Sequence, residues 1–147
     1  GITSLKDAGA DIIIVSMHWG EERRYTPTYD QTYSGHLAID YGADVVFGHH
    51  PHVLQPIEEY EGGYIFYSMA NFSFGGNKYP TDQDTAIIQL EVIQTREGGV
   101  SLGELTIIPC SVSSVEDRND FRPTPLEPDS EGYDRVLSKL DGTYQKP

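Results

Sequence analysis

Two short apolar runs stand out in the polar first half of the chain, Ile12-Ile13-Ile14-Val15 and Val45-Val46-Phe47. Unbroken runs of β-branched and aromatic residues predict strands covered on both faces, here over 12–17 and 44–47. Each run follows the same triplet, Gly9-Ala10-Asp11 and Gly42-Ala43-Asp44. Glycine in that place ends a helix, and the strand begins just after it. Ile2, Leu5 and Ala8 recur at helical spacing. So do Tyr33, Leu37 and Tyr41, which predict one face of a helix over 30–41, capped by Thr28 or Asp30. The link from His18 to Ala43 is long enough for a βαβ crossover, which makes the two strands parallel neighbours. Gly48 is expected to end the second strand and let the backbone turn.

The pattern then changes. Segments 54–60 and 64–69 read as a hairpin around Glu61-Gly62-Gly63, with Pro56 confining the first to an edge or a short strand. Segments 85–95 and 100–108 read as a second hairpin, turning at Arg96-Glu97-Gly98-Gly99. A glycine-rich polar loop is expected over 74–84. Residues 109–130 carry several prolines and no clear period, so they are expected to wrap the surface. Glu131 to Leu140 predicts a helix with Val136, Leu137 and Leu140 inward, and the tail after Gly142 is expected to fray. Together these elements predict a single α/β domain over 1–147, a parallel βαβ unit followed by β-hairpins. A chain of this length buries roughly 68–70% of its unfolded surface, enough for a core.

Charge narrows the function. The formal net charge is -13, which argues against nucleic acid, whose phosphates need a basic face. An anionic substrate of any kind requires a bound metal or a local basic patch. Cys110 is the single cysteine and has no internal disulfide partner. No apolar run approaches the ~20 residues that span a bilayer.

The candidate chemistry sits where the two runs end. His18 follows the first strand, and Gly48-His49-His50-Pro51-His52 follows the second. Open α/β sheets place their sites at the carboxyl ends of strands. Pro51 biases His50 towards extended backbone, in which residues two apart share a side, so His50 and His52 are expected to present their rings together. His49 is then expected to point away, as a neighbour of the site. Three imidazoles at adjacent strand ends suit a divalent transition metal. A single histidine after a strand is more often a loop residue, and His36 reads as a packed or partly exposed helix residue. Glu22 reads either as a partner holding a ligand histidine or as a solvated loop charge. Arg23 and Arg24 suit an anionic substrate, although an exposed charged loop explains at least one of them. Asn71 reads as an Asx turn or as part of the site rim.

Three motifs, His18-Trp19-Gly20-Glu21-Glu22, the stretch from Gly42 to Gln55, and Tyr67-Ser68-Met69-Ala70-Asn71-Phe72, resemble the CapA type of bacterial poly-γ-glutamate capsule biosynthesis family. That family resembles a branch of the calcineurin-like metallophosphoesterases, and the resemblance covers nearly the whole chain. It implies the C-terminal half of a metallophosphoesterase-like α/β sandwich. It also implies a pair of divalent metals (Mn, Fe or Zn) in the intact protein, with one or none held by this portion alone. By residue, it implies that His18 and His50 serve one metal and His52 the other. Relatives carry an earlier Asp-bearing strand end, a Gly-Asp pair and an Asn-His pair. These motifs are missing here, so a longer parent protein is expected, and no robust catalysis by this portion alone. Implied functions are a metal-dependent hydrolase or, alternatively, a non-catalytic component that binds, exports or tethers poly-γ-glutamate. Implied partners are that anionic polymer and other capsule-synthesis membrane proteins. The implied location is the outer face of the membrane, through an anchor upstream. An exposed strand edge makes a homodimer an expectation as well.

Overall fold

The computed structural model describes residues 1–73, 75–96 and 98–146. Helix α1 (Ile2–Asp7) leads into strand β1 (Ile14–His18), helix α2 (Tyr29–Asp40) and strand β2 (Val45–His49). A hairpin follows, β3 (Ile57–Tyr60) and β4 (Gly63–Phe66), then the long pair β5 (Asp84–Gln94) and β6 (Val100–Ser111). A two-residue strand β7 (Thr124–Pro125) and helix α3 (Glu131–Leu140) complete the order. One sheet runs β1-β2-β4-β3 and the other β5-β6-β7. β1, β2 and β4 are parallel, and β3 pairs antiparallel with β4 at the edge, where Pro56 is tolerated. The α/β class and the parallel unit followed by hairpins are as the sequence predicts.

Local signals explain the helix ends. Thr28 accepts a hydrogen bond from the Gln31 amide, and the Gln31 side chain returns one to the Thr28 amide, a full capping box. Gly9 and Gly42 take the left-handed conformation after α1 and α2, at φ 85° and 100°, as the repeated triplet predicts. Val46, Ile65 and Tyr67 form one apolar cluster with Ile39 and Ala43. Val45, Leu54 and Phe66 meet Ala86, Val136 and Leu140 in a second cluster that joins the two sheets. Each such large apolar side chain, fully buried, contributes about 1.5–3 kcal/mol.

Several expectations are corrected. β1 spans Ile14–His18 rather than 12–17, and Ile14 is 64% exposed. The strand lies at the edge of its sheet, and the side chains at alternate positions 14, 16 and 18 are exposed. The predicted apolar stripe of α2 is its outer face: Tyr33, Leu37 and Tyr41 are exposed, while Gln31, Gly35, Ala38 and Ile39 are buried. Small residues there let the helix sit close on the sheet, with Gly35 against Ile65. Pro109 to Ser111 belong to β6, and Thr124–Pro125 pair with it, so 109–130 is not all surface wrap. The tail does not simply fray, because the Tyr144 amide bonds Ser138 and its ring packs 4.9 Å from that of Tyr25. The expected loop over 74–84 and the turn at 96–99 each include a position, Phe74 and Glu97, outside the described residues.

Gly48 does not end β2. The strand continues to His49, with Gly48 in register with Met17. Glycine is required for close approach instead: a Cβ there would run into the Tyr67 carbonyl and the Trp19 indole nitrogen. Trp19 Nε1 donates to that same carbonyl at 2.8 Å. Backbone cannot give way as a flexible side chain can. Gly48→Ala is therefore expected to lower unfolding stability by about 3 kcal/mol, the upper part of the overpacking range. Urea denaturation checks this, and a loss near zero would show that β4 can shift.

Candidate metal centre

β1 and β2 end together, but not in the way equal spacing suggests. In the ladder His18 lies opposite His49, not His50. What brings His50 inward is the turn after the strand. His50 has φ 102° and His52 φ 58°, both in the left-handed region. The extended backbone expected around Pro51 is therefore absent, and the shared direction of the two rings has another origin. Two main-chain bonds hold the turn against the preceding loop: the Trp19 amide to the His49 carbonyl at 3.1 Å, and the Arg23 amide to the Pro51 carbonyl at 2.8 Å. Arg23 also takes positive φ, at 62°. Such conformations cost of order 1–3 kcal/mol each and persist only where surroundings over-determine them.

The result is a cluster. Ligand atoms of Glu22, His50 and His52 all lie within 4.8 Å of one another. The His18 ring centroid is 4.7 Å from that of His50, and the His50 and His52 centroids are 6.2 Å apart. The three histidines named by the sequence thus come together, and Glu22 enters beside them rather than behind one of them. Asn71 holds His52: Nδ1 lies 2.7 Å from Asn71 Oδ1. The tautomer with its proton on Nδ1 makes this a hydrogen bond and keeps the Nε2 lone pair on the side of the ring away from Asn71. Asn71 is therefore a rim residue bonded to the site. Its position at the end of the Tyr67-to-Phe72 motif was the available signal.

The remaining candidates separate. The His49 ring packs on Phe47 at 5.0 Å and lines a cavity of about 520 Å³ with Met69, Ala70 and Phe72. Arg24 is turned into its own loop, bonded to Glu21 and to the Thr26 carbonyl. Arg23 is exposed beside Glu22. His36 stacks on Tyr60 at 3.9 Å and bonds Glu58 at 3.0 Å, a packed helix residue. Asp44 sits at the other end of β2, where it accepts from the Ile13 amide at 2.7 Å.

Two polar networks escaped the sequence reading. Gln31 and Gln55, both buried, bond each other at 2.7 Å. Lys139 is buried between Asp82 and Asp84, at 2.6 and 2.7 Å, and Arg135 grips Asp84 with two bonds of 2.7 Å. The Tyr25 hydroxyl donates to Asp82 at 2.8 Å, which joins the loop bearing Glu22 to the segment leading into β5. Burial, then the Asp82 hydrogen bond, push the Tyr25 hydroxyl well above its ordinary pKa.

Glu22, His50 and His52 bring two imidazoles and a carboxylate together, a borderline donor set that zinc, iron and manganese accept, with the His18 ring beside His50. The residues present therefore fit a divalent transition metal.

The chain is 35% identical to the PGA biosynthesis protein CapA of Bacillus subtilis, over 89% of this chain and 31% of that protein. It is 36% identical to the capsule biosynthesis protein CapA of Bacillus anthracis, over 73% of this chain and 25% of that protein. A probable polyglutamine synthesis accessory protein of Mycobacterium tuberculosis is 46% identical, over 71% of this chain and 28% of that protein. The chain spans about a third or less of the length of these curated relatives. The family described as bacterial capsule synthesis protein PGA_cap matches residues 1–76, a stretch that ends five residues beyond Asn71. Since that match takes in more than half of the 147 residues and the whole histidine cluster, the chain belongs to the PGA_cap family.

Proposed function

We propose that the chain is part of a capsule-biosynthesis protein and carries a divalent-metal site that acts on an anionic polymer, poly-γ-glutamate in the first instance. The observation that carries the reading is the convergence of Glu22, His50 and His52, with His18 alongside. Relatives named for capsule or polyglutamate synthesis support the process. The reaction class we infer is metal-dependent hydrolysis at the cell surface.

Each residue has a task in this reading. Glu22, His50 and His52 would hold the metal, with His18 beside His50 as a further candidate ligand. Asn71 keeps His52 in one tautomer. Arg23 meets the substrate's carboxylate or phosphoryl oxygens. When bound, the metal supplies Lewis acidity and an activated water. It also reverses the local field in a chain of net charge -13, which otherwise repels a polyanion.

The test is metal content after dialysis of the chain against Zn²⁺ or Mn²⁺, followed by elemental analysis. Expected is stoichiometric uptake that a chelator removes; no uptake by folded protein overturns the site. Metal-dependent cleavage by the longer parent protein supports hydrolysis. Metal uptake with polymer binding but no cleavage favours the tethering role instead.

A further inference from the structure

Glu22 is carried on the loop that follows β1, and His50 and His52 on the turn that follows β2. Two buried amides tie the first loop to the chain just beyond the second. Gln31 Nε2 donates to Gln55 Oε1 at 2.7 Å and reaches the Tyr67 carbonyl at 3.4 Å. Gln55 Nε2 donates to the Arg24 carbonyl at 2.8 Å and reaches the Thr26 carbonyl at 3.4 Å. Gln31 Oε1 accepts from the Thr28 amide at 2.9 Å. The direction of every bond in this relay is fixed by its ends, because backbone carbonyls only accept and a backbone amide only donates.

The loop straddles the pair. At its start, Gly20 passes so close to the Gln31 amide that a Cβ would collide with it. At its end, Arg24 and Thr26 hang from Gln55. Glu22 and Arg23 occupy the span between these two attachments. Gln55 itself lies three residues beyond His52 in the chain. Both side chains are essentially excluded from water, at 1% and 0% exposure. A buried amide without partners is costly, so the relay resists partial opening.

We infer that Gln31 and Gln55 are positioning residues of the metal centre: their amide relay sets the distance between Glu22 and the His50–His52 pair. This inference rests on the metal reading above. Neither glutamine is a ligand. Each acts through the main chain of the loop.

The decisive substitution is Gln55→Met, which keeps the volume and removes the donor. Co²⁺ titration is expected to show affinity reduced about 10–100-fold, the scale on which supporting partners of ligands act. The Co²⁺ visible spectrum is expected to change with it, because the ligand geometry changes. In metal-free protein, hydrogen exchange at the Arg23 amide, bonded to the Pro51 carbonyl, is expected to quicken. Gln31→Met, which leaves the Gln55 bonds to the loop in place, is the milder second variant and is expected to move all three readouts the same way. Val136→Ala, in the other apolar cluster, is the control that lowers stability without moving them. Unchanged Co²⁺ affinity and spectrum in folded Gln55→Met overturn the positioning role, leaving a structural pair. If the parent chain binds no Co²⁺, the metal reading fails by itself. The relay is then decided by exchange at Arg23 alone, and unchanged protection there overturns it.

Discussion

Replacing Lys139 by methionine is expected to destabilise the fold by about 3–5 kcal/mol, the range for breaking a buried ion pair from one side. The Lys139 ammonium is 2% exposed and lies between two carboxylates that are 6% and 3% exposed. It also stands 5.0 Å from the ring centroids of Tyr25 and Tyr144, whose faces favour a cation. Methionine fills much of the space but takes the ammonium from both carboxylates, leaving Arg135 on Asp84 and the Tyr25 hydroxyl and the Asp84 amide on Asp82. Urea unfolding measures the loss. Asp82→Asn in the same background removes one orphaned charge and is expected to recover part of it. A loss under about 1 kcal/mol would place Lys139 among ordinary surface pairs. Acid behaviour should shift too. Burial pushes the Asp84 carboxyl up, but hydrogen bonds from Arg135 and Lys139 outweigh it and hold its pKa below the ordinary value. The stability Asp84 contributes is therefore full above the ordinary value of ~3.9 and is lost as pH falls through the lower folded value. Without Lys139 that loss is expected to begin at higher pH.

His50→Ala is expected to abolish measurable metal uptake, a loss of more than about 100-fold. This exceeds the 10–100-fold expected of Asn71→Ala, which removes only the support of His52. His50 is the centre of the cluster: its ring nitrogen lies within 4.8 Å of the donor atoms of Glu22 and His52, and its ring neighbours that of His18. Its backbone complicates the reading, because φ 102° strains alanine as well as histidine. His50→Gly separates the two effects. It removes the ring equally but relieves the backbone, so it is expected to be more stable than His50→Ala and equally unable to hold metal. Calorimetric titration and thermal melting of the three variants check the ordering. Retained affinity in both His50 variants would remove His50 from the site.

How much of this was legible follows from the range of each signal. The Gly-Ala-Asp triplets, Thr28 and the apolar runs are local, and they located α1, α2, β1 and β2 to within a few residues. Convergence of the histidines was also legible, since parallel pairing follows from the length of the crossover. Its cause was not. Positive φ at His50 and His52 depends on bonds from Trp19 and Arg23, over 25 residues away, and nothing in the string Gly-His-His-Pro-His announces it. The exposed stripe of α2 misled for a related reason. Tyr33, Leu37 and Tyr41 repeat as well as a core face does, while the true contact face is built on Gly35 and Ala38. Lys139 did leave a trace, falling three residues after Val136 on the stripe that Leu140 continues. Gln55 left only its place at the end of the Gly42-to-Gln55 motif, because its partners, the Gln31 side chain and the Arg24 and Thr26 carbonyls, are remote in the chain.

The left-handed turn has a consequence for anyone who would borrow it. Grafting Gly-His-His-Pro-His onto the end of a strand in an unrelated scaffold would carry over the letters without the shape. Freed from its two tethers, the peptide would relax to ordinary backbone angles and its rings would splay. A working transplant must bring the neighbouring loop along, with Trp19 and Arg23 as its stitches.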